Sequence, residues 1–204
     1  EPLVLQGFEA QPGHGIAAHV AGKDLLLGNR RLMDTQGVDS SELHTQATRL
    51  EGEGKTVIYL TIDSQPAGLI AVADTLKPDA REAVQEIIAL GLDVALVSGD
   101  NERTARAIAG KVGITQVMAE VLPEEKSAVI QELQTGRQVV GMVGDGINDA
   151  PALSQADIGI AIGTGADIAK ESADITLMSA GLSAIPRAIR LSRRTMSVIR
   201  QNLF

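Results

Sequence analysis

Carboxylates, a lysine and a hydroxyl occur in three short segments whose residue types suit chemistry on phosphate groups. Asp145 and Asp149 lie four residues apart in a glycine-containing loop, where their charges repel each other unless a cation lies between them. Hard oxygen ligands of this kind favour Mg²⁺. Lys126 can neutralise phosphate oxygens, and Ser98 with nearby backbone amides can bind them. Together the three segments predict a Mg²⁺-assisted phosphoryl-transfer site.

Each segment also has an ordinary structural explanation. Asp145-Gly146 is a common turn sequence. Ser98, Asp100 and Asn101 could simply cap the helix that follows them. A lysine in the first turn of a helix, as at Lys126, opposes the helix dipole, so a purely structural role is harder to argue there. The prediction therefore rests on the combination of segments and not on any one of them.

Alternating strands and helices must position these segments. The predicted strands cover residues 93–97, 116–119, 138–143, 158–162 and 175–178, and the predicted helices cover residues 78–90, 102–112 and 124–133. Buried strands separated by helices are typical of a parallel sheet with helices on both faces. In such a sheet the active site lies at the carboxyl ends of the strands. The predicted fold class is therefore α/β, with a doubly wound parallel sheet.

Residues 1–72 follow a different pattern, rich in predicted strands and glycine-containing turns. The predicted elements are strands at 16–20 and 25–27, a helix at 41–50, and a hairpin of 56–62 with 68–73 around a turn at 65–66. This part of the sequence therefore predicts a small α+β module that precedes the parallel sheet.

Composition excludes several classes of function. The 204 residues, of which 44% are hydrophobic and 22% charged, suit one large or two small globular domains. The chain has no cysteine, which excludes disulfides, thiolate metal sites and cysteine nucleophiles. Its three aromatic residues and its net charge of −8 argue against nucleic acid as a partner. No apolar run approaches the ~18 residues that cross a bilayer.

The charge is unevenly distributed along the chain. Five of the 18 basic residues, and none of the 26 acidic ones, lie in the last 18 positions. Apolar residues recur at spacings of three and four across residues 182–204, which predicts an amphipathic basic helix. Arginines beside a transmembrane helix mark its cytoplasmic flank, so this helix could rise to a membrane. The alternative is a solvated helix that closes the domain.

The segments Gly144-Asp145-Gly146-Ile147-Asn148-Asp149-Ala150-Pro151, Ser98-Gly99-Asp100-Asn101 and Leu122-Pro123-Glu124-Glu125-Lys126 resemble those of P-type cation-transporting ATPases. More narrowly, the sequence is similar to the heavy-metal branch, the copper and zinc pumps. The resemblance covers essentially the whole chain. It implies a truncated α+β nucleotide-binding domain at 1–72, a haloacid-dehalogenase-like phosphorylation domain without its first strand at 73–181, and a stalk helix leading to a membrane at 182–204.

The resemblance also implies roles for individual residues. Asp145 and Asp149 would hold Mg²⁺, Asn148 would help to order the phosphate, and Lys126 would contact the acyl phosphate. Ser98 stands where the family more often has threonine, and the hydroxyl is retained. The residues implied in binding ATP are Gly13, Gly15, Ile16, Gly28, Asn29, Asp74, Lys77, Gly99 and Asp100. Close approach of the backbone to the nucleotide is the reason expected for the glycines.

Two histidines near these glycines, His14 and His19, are predicted to be surface residues. No carboxylate or third histidine lies at a spacing typical of metal ligands. The sequence therefore does not predict a histidine metal site.

The family's nucleophile, the aspartate of an Asp-Lys-Thr-Gly-Thr motif, does not occur in this sequence. In the family this motif precedes the nucleotide domain. Because the chain starts at Glu1 without a methionine and ends within a repeating pattern, we expect it to be a piece of a larger protein. We therefore expect this chain to form no phosphoenzyme, and the centre of its sheet to be exposed.

The resemblance implies the cytoplasmic ATP-binding and phosphorylation region of a membrane pump that exports a heavy-metal cation. Copper(I) or silver is the first expectation for the cation. The actuator domain of the same protein would be a further partner. One alternative is a soluble haloacid-dehalogenase-like Mg²⁺-dependent phosphatase, which needs an Asp-x-Asp motif that this sequence lacks. Another is a non-catalytic nucleotide-binding module.

Overall fold

The computed structural model describes residues 5–73, 75–144, 147–162, 172–178 and 181–203. The chain forms two compact units. The first consists of residues up to Thr75 together with Gly99–Ile108, and the second consists of Leu76–Ser98 and the residues from Ala109 on. The short segment Gly99–Ile108 therefore belongs to the first unit although it follows a strand of the second.

An antiparallel sheet of five strands, paired in chain order, forms the first unit. Its strands are β1 (Leu5–Gln11), β2 (Gly15–Val20), β3 (Lys23–Gly28), β4 (Thr56–Ile62) and β5 (Gln65–Val72), and its helices are α1 (Arg30–Thr35) and α2 (His44–Gly52). Alternate residues of β4 are buried, as the sequence pattern predicts. The core of this unit gathers Leu32, Met33, Val38, Ala47, Val57 and Tyr59. The predicted α+β pattern is confirmed.

The turn between β4 and β5 lies at Asp63 and Ser64, so its predicted position at residues 65–66 is wrong. Both turn residues have left-handed φ, at 49° and 61°. A two-residue turn of this kind matches the twist of a hairpin, and Asp and Ser are ordinary turn residues. Pro66 lies instead in β5, at an edge of the sheet, where a missing N–H is tolerated.

Parallel strands and helices build the second unit. Its strands are β6 (Ala95–Val97), β7 (Gln116–Met118), β8 (Gly141–Gly144), β9 (Ile158–Ile162) and β10 (Ile175–Leu177). The helices are α3 (Ala80–Ala89), α5 (Lys126–Leu133), α6 (Ala150–Gln155) and α7 (Ala184–Leu203), and α4 (Glu102–Val112) has residues in both units. The strand pairs described in this unit are all parallel, which confirms the predicted α/β class.

The parallel strands lie in two separate sheets. One has the order β10–β9–β8 and the other contains β6 and β7. Among the described residues, β6 therefore pairs only with β7, and β8 pairs only with β9.

Two predicted boundaries differ from the observed ones. The helix expected to begin at Pro78 begins at Ala80, because residues 78–79 form a turn and Asp79 accepts a hydrogen bond from the backbone N–H of Ser183 at 2.8 Å. The helix expected over residues 124–133 starts as a 3-10 turn at Pro123–Glu125 and becomes α-helical at Lys126. Tertiary contacts and the prolines set these boundaries.

The basic helix predicted over residues 182–204 is observed as α7. Its first turn is buried through Ile185 and Pro186, and its side chains from Leu191 on are exposed. Arg190 pairs with Glu86 of α3 at 2.7 Å, and Arg193 donates to the carbonyl of Leu90 at 2.8 Å. No helix among the described residues is long and apolar enough to cross a membrane.

Candidate functional site

An ion pair between Lys126 and Asp149 is the centre of the candidate site in the second unit. The Lys126 ammonium donates to Oδ1 of Asp149 at 2.6 Å. The two side chains are only 20% and 13% exposed. Partial burial weakens the competition of water, so this contact fixes both groups more firmly than a surface pair would. The structure therefore joins two of the three predicted segments, which are 23 residues apart in sequence.

Local structure explains how each partner reaches this contact. The 3-10 turn before Lys126 is held by the carboxylate of Glu125, which accepts the backbone N–H of Leu122 at 3.0 Å. Asp149 is the residue before α6, and Pro151 lies in the first turn of that helix, where its missing N–H has no cost. A Cβ on Gly144 would lie 2.8 Å from the Cβ of Asp149. Glycine at the end of β8 is therefore required for the Asp149 side chain to lie where it does.

Ser98 links the third predicted segment to the same edge of the unit. It directly follows β6, and its N–H donates to the carbonyl of Met118 at 2.9 Å. Its own carbonyl accepts the N–H of Val121 at 3.1 Å. Val121 precedes the turn that carries Lys126, so backbone hydrogen bonds connect Ser98 to the segment of the lysine.

Two other residues of the predicted metal loop are less fully described. Asn148 is exposed in the 3-10 turn that precedes α6. Asp145 lies outside the described residues, as does Gly146. Within the described part of the chain, no cluster of three metal-binding side chains is found. Asp149 contributes a carboxylate of the type that suits Mg²⁺, and the Asp145–Asp149 pair stays a prediction.

Asp100 and Asn101 both have side-chain hydrogen bonds within the first unit. Asn101 accepts the N–H of Thr104 at 3.0 Å, so it caps α4, and the capping alternative is confirmed for this residue. Oδ1 of Asp100 accepts the hydroxyl of Thr56 at 2.7 Å. Gly99 between Ser98 and Asp100 is exposed.

The glycine segments of the first unit come together in space. Gly15 pairs with Gly28 in the β2–β3 ladder. A Cβ on Gly15 would lie 2.1 Å from the carbonyl oxygen of Leu27, and one on Gly28 would lie 2.4 Å from both the carbonyl oxygen of His14 and Cδ2 of Leu32. Contacts inside the unit therefore already require glycine at these two positions. Their role in binding a nucleotide stays a prediction.

Asn29 connects these glycine segments. Its side-chain oxygen caps α1 by accepting the N–H of Leu32 at 3.0 Å, and its amide nitrogen donates to the carbonyl of Gly13 at 2.9 Å. Ile16 lies beside them in β2 and pairs with Leu27. The predicted residues Gly13, Ile16 and Asn29 thus lie close to the Gly15–Gly28 pair.

Of the predicted ATP-binding residues Asp74 and Lys77, the structure describes Lys77. Lys77 is exposed, and its backbone carbonyl accepts the N–H of Ala80 at 2.9 Å. Asp74 lies outside the described residues. Their proximity to nucleotide phosphates stays a prediction.

His19 has a carboxylate neighbour that the sequence spacing did not predict. The β2–β3 register places Asp24 opposite His19, and Nδ1 of His19 lies 2.6 Å from Oδ1 of Asp24. Hairpin register and not linear spacing sets this neighbour. The pair is partly exposed.

Comparison with known proteins gives consistent relatives. A family model for haloacid dehalogenase-like hydrolases matches residues 2–157, and a second model of the same description matches residues 126–189. A copper-exporting P-type ATPase of Bacillus subtilis (strain 168) is 55% identical over 200 residues, covering 98% of this chain and 25% of that protein. A probable copper-exporting P-type ATPase V of Mycobacterium tuberculosis (strain ATCC 25618 / H37Rv) is 52% identical over 197 residues, covering 96% and 26%. The chain thus spans about a quarter of the length of these curated relatives.

Solved structures agree with these sequence relatives. A zinc-transporting PIB-type ATPase in the E2.Pi state superposes with a TM-score of 0.67 at 38% identity, covering 98% of this chain and 32% of that one. The catalytic domain of the CPx-ATPase CopB-B has a TM-score of 0.64 at 24% identity, covering 93% and 66%, and shows likeness of fold alone. The match therefore extends over both units of the chain.

Proposed function

We propose that this chain, which belongs to the haloacid dehalogenase-like hydrolase family, forms the ATP-binding and phosphorylation region of a heavy-metal P-type ATPase. The sequence matches copper-exporting P-type ATPases over nearly its whole length. The whole pump would couple hydrolysis of Mg-ATP, through an aspartyl phosphate, to export of a metal cation. Its cytoplasmic side would carry this region.

The partly buried Lys126–Asp149 pair is the observation that carries the proposal. A lysine ammonium and a carboxylate at the carboxyl edge of a parallel sheet provide the two charge types that phosphoryl transfer needs. Lys126 would exchange Asp149 for a phosphate oxygen when substrate binds. Asp149 and Asp145 would hold Mg²⁺, whose charge offsets that of the transferring phosphoryl group.

Ser98 and Asn148 would complete the phosphate contacts. Ser98 is tied through its backbone to the segment that carries Lys126, so its hydroxyl is held near the same edge. Asn148 is exposed beside Asp149, in the 3-10 turn that precedes α6. Both side chains can donate hydrogen bonds to phosphate oxygens. Their role is to orient the phosphoryl group for in-line transfer.

The nucleophile would come from a segment that this sequence does not contain. The chain has no Asp-Lys-Thr-Gly motif. Its parallel strands lie in two sheets, with β6 ending one and β8 ending the other. A strand inserted between β6 and β8 would join the sheets and bring its carboxyl end to the edge where Ser98, Lys126 and Asp149 lie. Such a strand would deliver the aspartate that attacks the γ-phosphate of ATP.

The first unit would bind the nucleotide. The elements that meet at the Gly15–Gly28 pair, together with Asn29, form its proposed contact surface. Asp74, Lys77, Gly99 and Asp100 would act nearer the phosphates. The actuator domain of the same protein and the membrane would be the other partners of this region.

Phosphoenzyme formation tests this proposal. A longer protein that includes an upstream Asp-Lys-Thr-Gly segment should form an acid-stable, hydroxylamine-labile phosphoenzyme with Mg-ATP. Asp145→Ala should abolish it, and Lys126→Met should lower its level strongly because the phosphate loses its cation. Val129→Ala, a substitution in the same helix outside the ion pair, is a control that should retain it. A normal phosphoenzyme level in Asp145→Ala would refute the Mg²⁺ assignment.

The transported cation is a separate proposal that rests on the relatives' names. Copper(I) should stimulate ATP turnover of the longer protein under reducing conditions more than Zn²⁺ does. Greater stimulation by Zn²⁺ would contradict the copper assignment but would leave the phosphoryl-transfer proposal intact. Hydrolysis of a simple phosphate ester without any nucleotide preference would instead favour the soluble phosphatase.

A further inference from the structure

Five side-chain hydrogen bonds join the segment after Ser98 to the end of α2 and the beginning of β4. The partners are far apart in sequence, with separations between 44 and 55 residues. Both segments belong to the first unit. Residues of α2 and β4 to which no function has been assigned therefore position Asp100, Asn101 and Arg103.

Thr56 makes the contact that bears most directly on the site. Its hydroxyl donates to Oδ1 of Asp100 at 2.7 Å. Thr56 is exposed at the first position of β4, so this bond is not needed to satisfy a buried hydroxyl. Hydrogen bonds to an ionised acceptor are about twice as strong as neutral ones. The bond therefore helps to fix the orientation of the Asp100 carboxylate.

Glu51 holds the residues that follow Asp100. Its side chain is 12% exposed and accepts hydrogen bonds from Arg103 at 2.7 Å and from Asn101 at 3.3 Å. Arg103 also donates to the hydroxyl of Thr48 at 3.2 Å. A carboxylate with little exposure requires such donors, so Glu51 and its partners hold one another in place.

A buried hydroxyl completes the arrangement. Thr104 is fully buried and donates to the carbonyl of Lys55, the residue before Thr56, at 3.0 Å. Both sides of the contact are thus anchored: Thr104 by burial in the first turn of α4, and Lys55 by its place next to β4. These contacts hold the two segments together without the Thr56 hydroxyl, so removing that hydroxyl should change only the hydrogen bond to Asp100.

We propose that Thr56 is a positioning residue, whose hydroxyl holds the carboxylate of Asp100 in the orientation that Mg-ATP requires. Glu51 supports it by holding Asn101 and Arg103. This inference rests on the proposed function, in which Asp100 is among the ATP-binding residues. Thr56, a residue of the proposed nucleotide-binding unit, would thus orient a side chain in the segment that follows Ser98.

Substitutions of Thr56 separate this role from a structural one. In the longer protein, phosphoenzyme formation is measured against Mg-ATP concentration for the wild type and for Thr56→Val and Thr56→Ser. Valine has the same shape as threonine and suits an exposed strand position, so the fold is retained. Thr56→Val should raise the half-saturating Mg-ATP concentration about tenfold, as loss of a hydrogen bond to a charged group does. Thr56→Ser, which keeps the hydroxyl, should have the wild-type half-saturating concentration.

Thr45→Val is the matched control, since Thr45 is an exposed threonine in the same unit. It should leave half-saturation unchanged, and thermal unfolding should show a cooperative transition in all three variants, so that each of them is folded. A wild-type half-saturating Mg-ATP concentration in Thr56→Val overturns the inference. A raised concentration in Thr56→Ser overturns it as well. Absence of any phosphoenzyme in the wild-type longer protein overturns the proposed function, and this inference falls with it.

Discussion

Replacing Gly28 by alanine should destabilise the first unit strongly, because the new methyl group has no room. Its carbon would lie 2.4 Å from the carbonyl oxygen of His14 and 2.4 Å from Cδ2 of Leu32. Leu32 is fully buried in the core, so it cannot swing into solvent. The His14 carbonyl also accepts the N–H of Asn29 at 2.9 Å, and moving it would weaken that bond.

The magnitude follows from these two contributions. Forcing one extra carbon into a packed region costs roughly 1–3 kcal/mol. Loss of the Asn29–His14 backbone bond adds about 1 kcal/mol. The free energy of unfolding should therefore fall by roughly 2–4 kcal/mol. With a urea slope of about 2 kcal/mol per molar, the unfolding midpoint would drop by roughly 1–2 M.

Gly68→Ala is the matched control for this measurement. Gly68 lies in β5 of the same sheet, and a Cβ there meets nothing within 4 Å. Alanine at such a position reduces the entropy of the unfolded chain, so stability should be unchanged or should rise by about 0.5 kcal/mol. Urea unfolding followed by circular dichroism compares the two variants directly.

Equal stability of Gly28→Ala and Gly68→Ala would refute the steric account of Gly28. Nucleotide binding then separates the two explanations of this glycine. If Gly28→Ala stays stable but loses ATP affinity, the glycine serves close approach of the ligand and not the packing of α1 on the β2–β3 hairpin.

Three further predictions concern the second unit. Lys126→Met should lower the free energy of unfolding by about 1–3 kcal/mol, because it leaves the largely buried Asp149 without its cation. Asp149→Asn in the same protein should recover part of that loss. Strict additivity in this double-mutant cycle would show that the pair does not interact. Hydrogen bonds from the Val140 N–H and the Gln134 side chain lower the pKa of Asp157, so its stabilising contribution is present above about pH 4 and is lost as the pH falls through the lowered value. Unfolding free energy measured between pH 2 and pH 7 should therefore fall less steeply in Asp157→Asn, and identical slopes would contradict this. Arg190→Ala should cost at most about 1 kcal/mol, since its pair with Glu86 is half exposed, and the difference from wild type should shrink at high salt.

Local sequence patterns predicted most of the fold. The apolar strands and the period of the helices defined the α/β class, and the residue types of the segments that follow the strands assigned Lys126 and Asp149 to one predicted site. These features could be predicted because parallel-sheet topology brings the carboxyl ends of strands to one edge. The position of the β4–β5 turn was missed, because Pro66 suggested a turn that Asp63 and Ser64 form instead.

Long-range contacts could not be predicted from these patterns. The bond between Thr56 and Asp100 joins residues 44 positions apart, and neither residue lies in a pattern that names the other. The pairing of His19 with Asp24 depends on hairpin register. Both glycines of the Gly15–Gly28 pair were identified, but the protein atoms that exclude a Cβ there appear only once the strands are paired.

In the proposed function this chain supplies the phosphate-binding side of a P-type ATPase site, while another segment supplies the nucleophile. Mapping the phosphorylated residue tests it most directly. The longer protein is phosphorylated with Mg-ATP, trapped by borohydride reduction and digested for mass spectrometry. We expect modification of the aspartate in an upstream Asp-Lys-Thr-Gly segment and of none of the aspartates in these 204 residues. Modification of Asp145, Asp149 or any other aspartate of this chain would contradict it.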